Sequence, residues 1–124
     1  MGRKLWIATA KSRWSKQWNN KEVTWRQLIQ RLSEPNRTKE TAAEYRKMSK
    51  RDQGAIKDVG GYVAGKLKEG RRLDENVITR SMITLDADYA PADLWDDIEM
   101  LFGYAAVMYS THSHSDDHPR YRLI

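Results

Sequence analysis

A chain of 124 residues with no cysteine, 31% charged side chains and a formal net charge of +5 can build one apolar core, and it excludes a disulfide scaffold and a thiolate metal site. No run approaches the roughly 18 to 20 apolar residues of a membrane span, and the opening Met1-Gly2-Arg3-Lys4-Leu5-Trp6 lacks the apolar stretch of a secretion signal, so a cytoplasmic chain without membrane contact is expected. The charge is unevenly spread: residues 1–72 hold 19 basic and 7 acidic side chains, and residues 73–124 hold 3 and 10, a pattern that suits a polyphosphate partner for the first part.

In chain order, residues 4–10 (KLWIATA) read as a first strand. In residues 24–32 the apolar positions Trp25, Leu28, Ile29 and Leu32 recur at helical spacing, with Thr24 as the cap. The basic, polar segment 34–58 allows a helix over 41–48 and a further helical start at 49–52. Gly60-Gly61 and Gly70 bracket a short strand or close-packed piece, with glycines that let the backbone approach a partner. Residues 76–85 form an apolar, β-branched run that predicts one strand ending at Asp86. Residues 91–102 predict an amphipathic helix with Leu94, Trp95, Ile98, Leu101 and Phe102 on one face and Asp93, Asp96, Asp97 and Glu99 on the other, stopped by Gly103. A strand over 104–110, a polar turn over 112–119 and a last strand from Tyr121 complete a strand, helix, strand, turn, strand unit. The expectation is a single α+β domain over residues 1–124, made of a basic portion (1–72) and this motif unit (73–124).

Four groups of residues could carry chemistry. Asp86 and Asp88 alternate at a strand end, so both carboxylates can converge and suit Mg²⁺ or Mn²⁺; a surface turn or helix cap uses the same pattern. Ser110 and His112, in Ser110-Thr111-His112-Ser113-His114, follow the next strand and could reach the same sheet edge, where each can donate to a phosphate. The alternative groups His112, His114 and His118 with Asp116 or Asp117 as a zinc site, although the spacing fits no common structural zinc module. Arg120 and Arg122 alternate on the last strand and could hold phosphate oxygens, or pair with the acidic helix. Finally, Lys11, Arg13, Trp14 and Lys16 interleave cations with an aromatic, a pattern suited to single-stranded nucleic acid; Trp14 and Trp18 could equally be core residues at i, i+4.

The order of motifs, Leu85-Asp86-Ala87-Asp88-Tyr89, then Leu94-Trp95-Asp96-Asp97, Tyr109-Ser110-Thr111-His112-Ser113-His114 and Pro119-Arg120-Tyr121-Arg122-Leu123, resembles the N-terminal region of archaeo-eukaryotic-type primases of phages and integrated elements. These are often joined to a virulence-associated E type helicase. The resemblance extends over nearly the whole chain, including Lys57-Asp58-Val59-Gly60-Gly61-Tyr62-Val63 and Gly65-Lys66-Leu67. It implies an incomplete primase-like sheet, similar to an RNA-recognition fold, with helices packed on one face. It also implies metal binding by Asp86 and Asp88, nucleotide contact by Ser110 and His112, and phosphate contact by Arg120 and Arg122. The family continues beyond the last strand to a third motif with another metal-binding aspartate, whereas this sequence ends at Ile124. Primer synthesis by this chain alone is therefore not expected, and Mg²⁺ or Mn²⁺ is expected only if the site functions.

Three readings follow from the resemblance. The chain is a piece of a larger primase; or a naturally short phage protein acting in the bacterial cytoplasm as a nucleic-acid-binding module or an inhibitor of a host defence nucleoprotein such as a CRISPR nuclease; or one part of an assembly in which a partner chain or a second copy adds to the terminal strand.

Overall fold

The structure, a computed structural model, describes residues 3–124. Among these residues there are eight β-strands and four α-helices, and the chain divides into two compact units, Met1–Ser81 and Met82–Ile124. The class is the expected α+β, with the strands distributed over three small antiparallel sheets instead of one.

In the first unit, β1 (Lys4–Ala10) lies where its apolar run predicts and forms the centre of a sheet between β2 (Asn19–Thr24) and β3 (Gly61–Val63). Leu5 and Ile7 are buried on one face of β1 and Ala8 on the other, which is why the strand reads as a nearly continuous apolar run. Ala8 joins Trp18 and Leu67 in a core cluster flanked by Ala10, Val63 and Val77. The sequence does not announce β2, since Asn19-Asn20-Lys21-Glu22 is polar, as sheet-edge strands often are. Asn20 instead ties the strand down: its side-chain amide donates to the Leu67 carbonyl at 2.7 Å and its oxygen accepts the Leu67 N–H at 2.9 Å.

The helix α1 (Trp25–Ser33) starts at Thr24 through a capping box with Gln27, and Leu28 is its buried residue. Within the polar segment, α2 (Ala42–Lys47) is capped by Thr41 and Glu44, and α3 (Lys50–Lys57) by Ser49. Next come β4 (Gly65–Leu67) and β5 (Val77–Arg80), paired antiparallel. The backbone that Gly65 approaches is the chain's own: a Cβ there would collide with the Thr79 carbonyl. At Gly70 φ is +68°, a left-handed turn whose carbonyl accepts the Trp18 N–H at 2.8 Å.

The single strand expected over 76–85 is broken. Ser81 donates its N–H to Ala64 O at 2.9 Å, and its hydroxyl accepts the Trp6 N–H at 2.9 Å. β5 ends at Arg80, and the next strand is β6 (Leu85–Ala87) in the second unit. There α4 (Leu94–Leu101) is shorter than the 91–102 pattern, and β7 (Met108–Ser110) is shorter than 104–110. Asp93 makes no side-chain capping bond, and Phe102 is already extended. The last strand, β8 (Tyr121–Leu123), occupies the centre of a sheet ordered β6-β8-β7. Both edges of β8 are hydrogen-bonded, to β6 on one side and β7 on the other, so the outer strands of this sheet are β6 and β7. No helix among the described residues is long and apolar enough to cross a membrane.

Candidate nucleic-acid interface and the Asp86 sheet

The second unit's sheet is built from three cross-strand rows. Leu85, Leu123 and Met108 form one, Asp86, Arg122 and Tyr109 the next, and Ala87, Tyr121 and Ser110 the third. Successive rows face opposite ways, so Asp86 shares a face with Arg122 and Tyr109, while Ser110 points to the other. Arg122 Nε donates to Asp86 Oδ1 at 2.7 Å. The carboxylate and the Tyr109 phenol together hold the guanidinium well above its usual pKa, against a smaller opposing effect of burial. Asp88 lies in the turn leaving β6, and His112 in the turn leaving β7. The two motifs thus reach one end of the sheet, but Asp86 already has a cationic partner and Arg122 is committed to it.

The polar turn over 112–119 is organised by its histidines. His114 Nδ1 accepts the Arg120 N–H at 3.1 Å, its Nε2 lies 3.9 Å from Asp116 Oδ1, and its ring is 5.1 Å from that of Tyr121. His118 meets Tyr89 edge-on at 5.4 Å. Arg120 Nε is buried without a hydrogen-bond partner. Among the described residues no group of three or more His, Cys, Asp or Glu side chains is placed to hold a metal ion.

The basic motif has a more definite geometry. Residues 11–18 connect β1 to β2 as a turn. Ser12 donates its hydroxyl to Asp58 Oδ2 at 2.6 Å, Arg13 N–H donates to Asp58 Oδ1 at 2.9 Å, and Trp14 N–H donates to the Ser12 hydroxyl at 3.1 Å. Ser15 N–H closes the turn on Ser12 O at 3.0 Å. These donors, the Ser12 hydroxyl foremost, hold the Asp58 carboxyl below its ordinary pKa. The two tryptophans separate: Trp18 is 4% exposed, with its indole N–H donating to Ser15 O, and Trp14 is 77% exposed. The i, i+4 core alternative thus describes Trp18 alone, because the segment is a turn and not a helix. Lys11, Arg13 and Lys16 are exposed around it, and Arg72 adds a further cation, donating from Nη1 to Arg13 O at 3.4 Å and lying 5.3 Å above the Trp18 ring. The first unit carries 20 basic and 9 acidic side chains, a net +11, and the second carries 2 and 8, a net −6.

Sequence reasoning missed Asp58, Arg72 and Tyr109. Asp58 precedes the Gly60-Gly61 signal, but nothing local announces that it anchors a turn 45 residues away. The Asp86 and Arg122 pairing was more accessible, since opposite charges on two predicted strands are natural cross-strand neighbours.

With this geometry in hand, comparison with family models gives one decisive result: the model of the VapE N-terminal domain matches residues 1–124. The chain belongs to that family. The basic turn of this VapE N-terminal domain and the sheet carrying Asp86 therefore both lie within the matched region. Comparison with curated proteins and with solved structures gives no match.

Proposed function

We propose that this VapE N-terminal domain is a nucleic-acid-binding module, related to primases, of a phage or mobile element, acting in the cytoplasm of the bacterial host. The observation that carries the reading is the turn fixed by Asp58, which presents Lys11, Arg13 and Lys16 from a unit of net charge +11. A fixed cluster of cations neutralises phosphates and releases their counterions, so affinity falls steeply with salt. The test is anisotropy titration of a labelled single-stranded oligonucleotide at several salt concentrations. The Lys11→Gln/Arg13→Gln/Lys16→Gln variant should bind more weakly, with its salt slope smaller by about 2, at roughly 0.7 for each phosphate no longer neutralised. Unchanged affinity and slope would remove the turn from the interface.

A second reading, nucleotide handling at Asp86, Asp88, Ser110 and His112, is favoured by one observation: the turns after β6 and β7 leave the same end of the sheet. Under this reading a divalent cation would draw Asp86 away from Arg122, and Arg120, whose Nε has no partner, would take up a phosphate oxygen. A primer-synthesis assay with Mn²⁺ and nucleotide tests it. Product that is lost in Asp86→Ala would support this reading, and no product from the folded chain would count against it.

A further inference from the structure

We propose that Trp14 is a stacking platform for an unpaired base, so that the nucleic acid bound at the basic turn is single-stranded. The proposal rests on the nucleic-acid reading above and adds to it the class of ligand. Among the described residues, Trp14 is the one tryptophan among the large apolar side chains left in water, at 77% exposure. Its backbone is held nonetheless: its N–H donates to the Ser12 hydroxyl, which itself donates to Asp58 Oδ2, and the neighbouring Arg13 N–H donates to Asp58 Oδ1. An aromatic ring on a pre-ordered backbone loses little conformational freedom when a ligand binds.

The ring's surroundings suit a base better than an apolar partner. The Arg13 guanidinium carbon lies 4.9 Å from the ring centroid, which places a cation where it can meet the phosphate of a nucleotide whose base stacks on the indole. Beside the turn, sharing Lys11 and Ser15 with it, is an open hollow of about 400 Å³ also lined by Thr9, Gln17 and Trp18. It has room for the nucleotide adjacent to the stacked one, with hydroxyl, amide and ammonium groups to meet it. In a duplex the base faces are already covered by their neighbours, and only an unpaired or terminal base offers a free π-face. The turn can therefore use Trp14 fully only with a single strand.

The experiment compares wild type, Trp14→Ala and Trp14→Phe at one salt concentration. The ligands are an oligothymidylate, an abasic strand of the same length and charge, and a blunt duplex. Circular dichroism establishes that the variants fold, which the exposure of Trp14 favours. Wild type should prefer the oligothymidylate to both other ligands by on the order of 10-fold. Trp14→Ala should lose that preference while keeping its affinity for the abasic strand, and Trp14→Phe should retain most of it. Equal binding of thymidylate and abasic strands by wild type, tighter binding of the duplex, or an equal loss on both strands in Trp14→Ala would overturn the stacking role and leave the electrostatic reading standing. Failure to bind any of the three ligands would overturn both.

Discussion

Among the described residues, seven of the eight buried apolar side chains belong to the unit Met1–Ser81 and only Ile124 to Met82–Ile124, whereas seven of the eleven large apolar side chains left exposed belong to the smaller unit. The first unit closes a core around Ala8, Trp18 and Leu67 and carries the positive charge. The second leaves Ile83, Tyr89, Met100, Leu101 and Tyr104 in water and relies on a three-stranded ladder and an ion pair. Units of about 40 residues bury a small share of their surface and are marginal on their own. The difference teaches where rigidity is available: the cationic turn of the first unit belongs to a unit with a packed core, and the motif residues of the second do not.

The largest effect expected from breaking this contrast is at Leu67, which is 1% exposed. Leu67→Ala should cost about 2 to 5 kcal/mol in denaturant unfolding, because the vacated space is lined by fixed neighbours, while Leu101→Ala, at 69% exposure, should stay within about 0.5 kcal/mol. Similar costs at the two positions would erase the distinction between the units.

Next comes Asn20→Ala, which leaves the buried Leu67 N–H and carbonyl without the partners they now have and should cost about 1 to 3 kcal/mol. Hydrogen exchange at the Leu67 amide should accelerate with it, and an unchanged exchange rate would contradict the assigned role.

A subtler effect is expected from pH. The pKa of Asp58 is lowered from its ordinary 3.8 in the folded chain, so its contribution is present above that value and is lost as pH falls through the lower folded value. The 11–16 turn should therefore keep its protection from proteolysis between pH 7 and about 4 and lose it below. Asp58→Asn should loosen the turn at neutral pH and remove that acid transition.

The smallest effect belongs to the Asp86 and Arg122 pair, whose side chains are 55% and 38% exposed. A double-mutant cycle should give a coupling of about 0.2 to 1 kcal/mol, attenuated by salt.

The sequence discloses a good deal of this. An apolar run and a capping residue are local signals, and β1, α1 and the Thr41 and Ser49 helix starts follow directly from them. Where partners are distant, legibility fails. The polar β2 is stabilised by its pairing with β1 and by Asn20 reaching Leu67, neither of which its own residues reveal. The 76–85 run is split between the two units, β5 ending at Arg80 and β6 beginning at Leu85, a boundary that the run's own residues do not mark. The cationic turn is readable as Lys11-Ser12-Arg13-Trp14, but its rigidity depends on Asp58. In the second unit the motifs are visible in order, and the opposite charges of Asp86 and Arg122 hint at their pairing, while the register that sets them side by side is given only by the β6 and β8 ladder.

The most direct test of the central claim is a ¹⁵N NMR titration of the full chain with a single-stranded oligonucleotide. Shifts concentrated at Lys11, Arg13, Trp14, Lys16 and Arg72 are expected, with Asp86, Ser110 and Arg122 left largely unmoved. Shifts concentrated instead on Asp86, Asp88, Ser110 and His112 would contradict the assignment of the nucleic-acid interface to the basic unit.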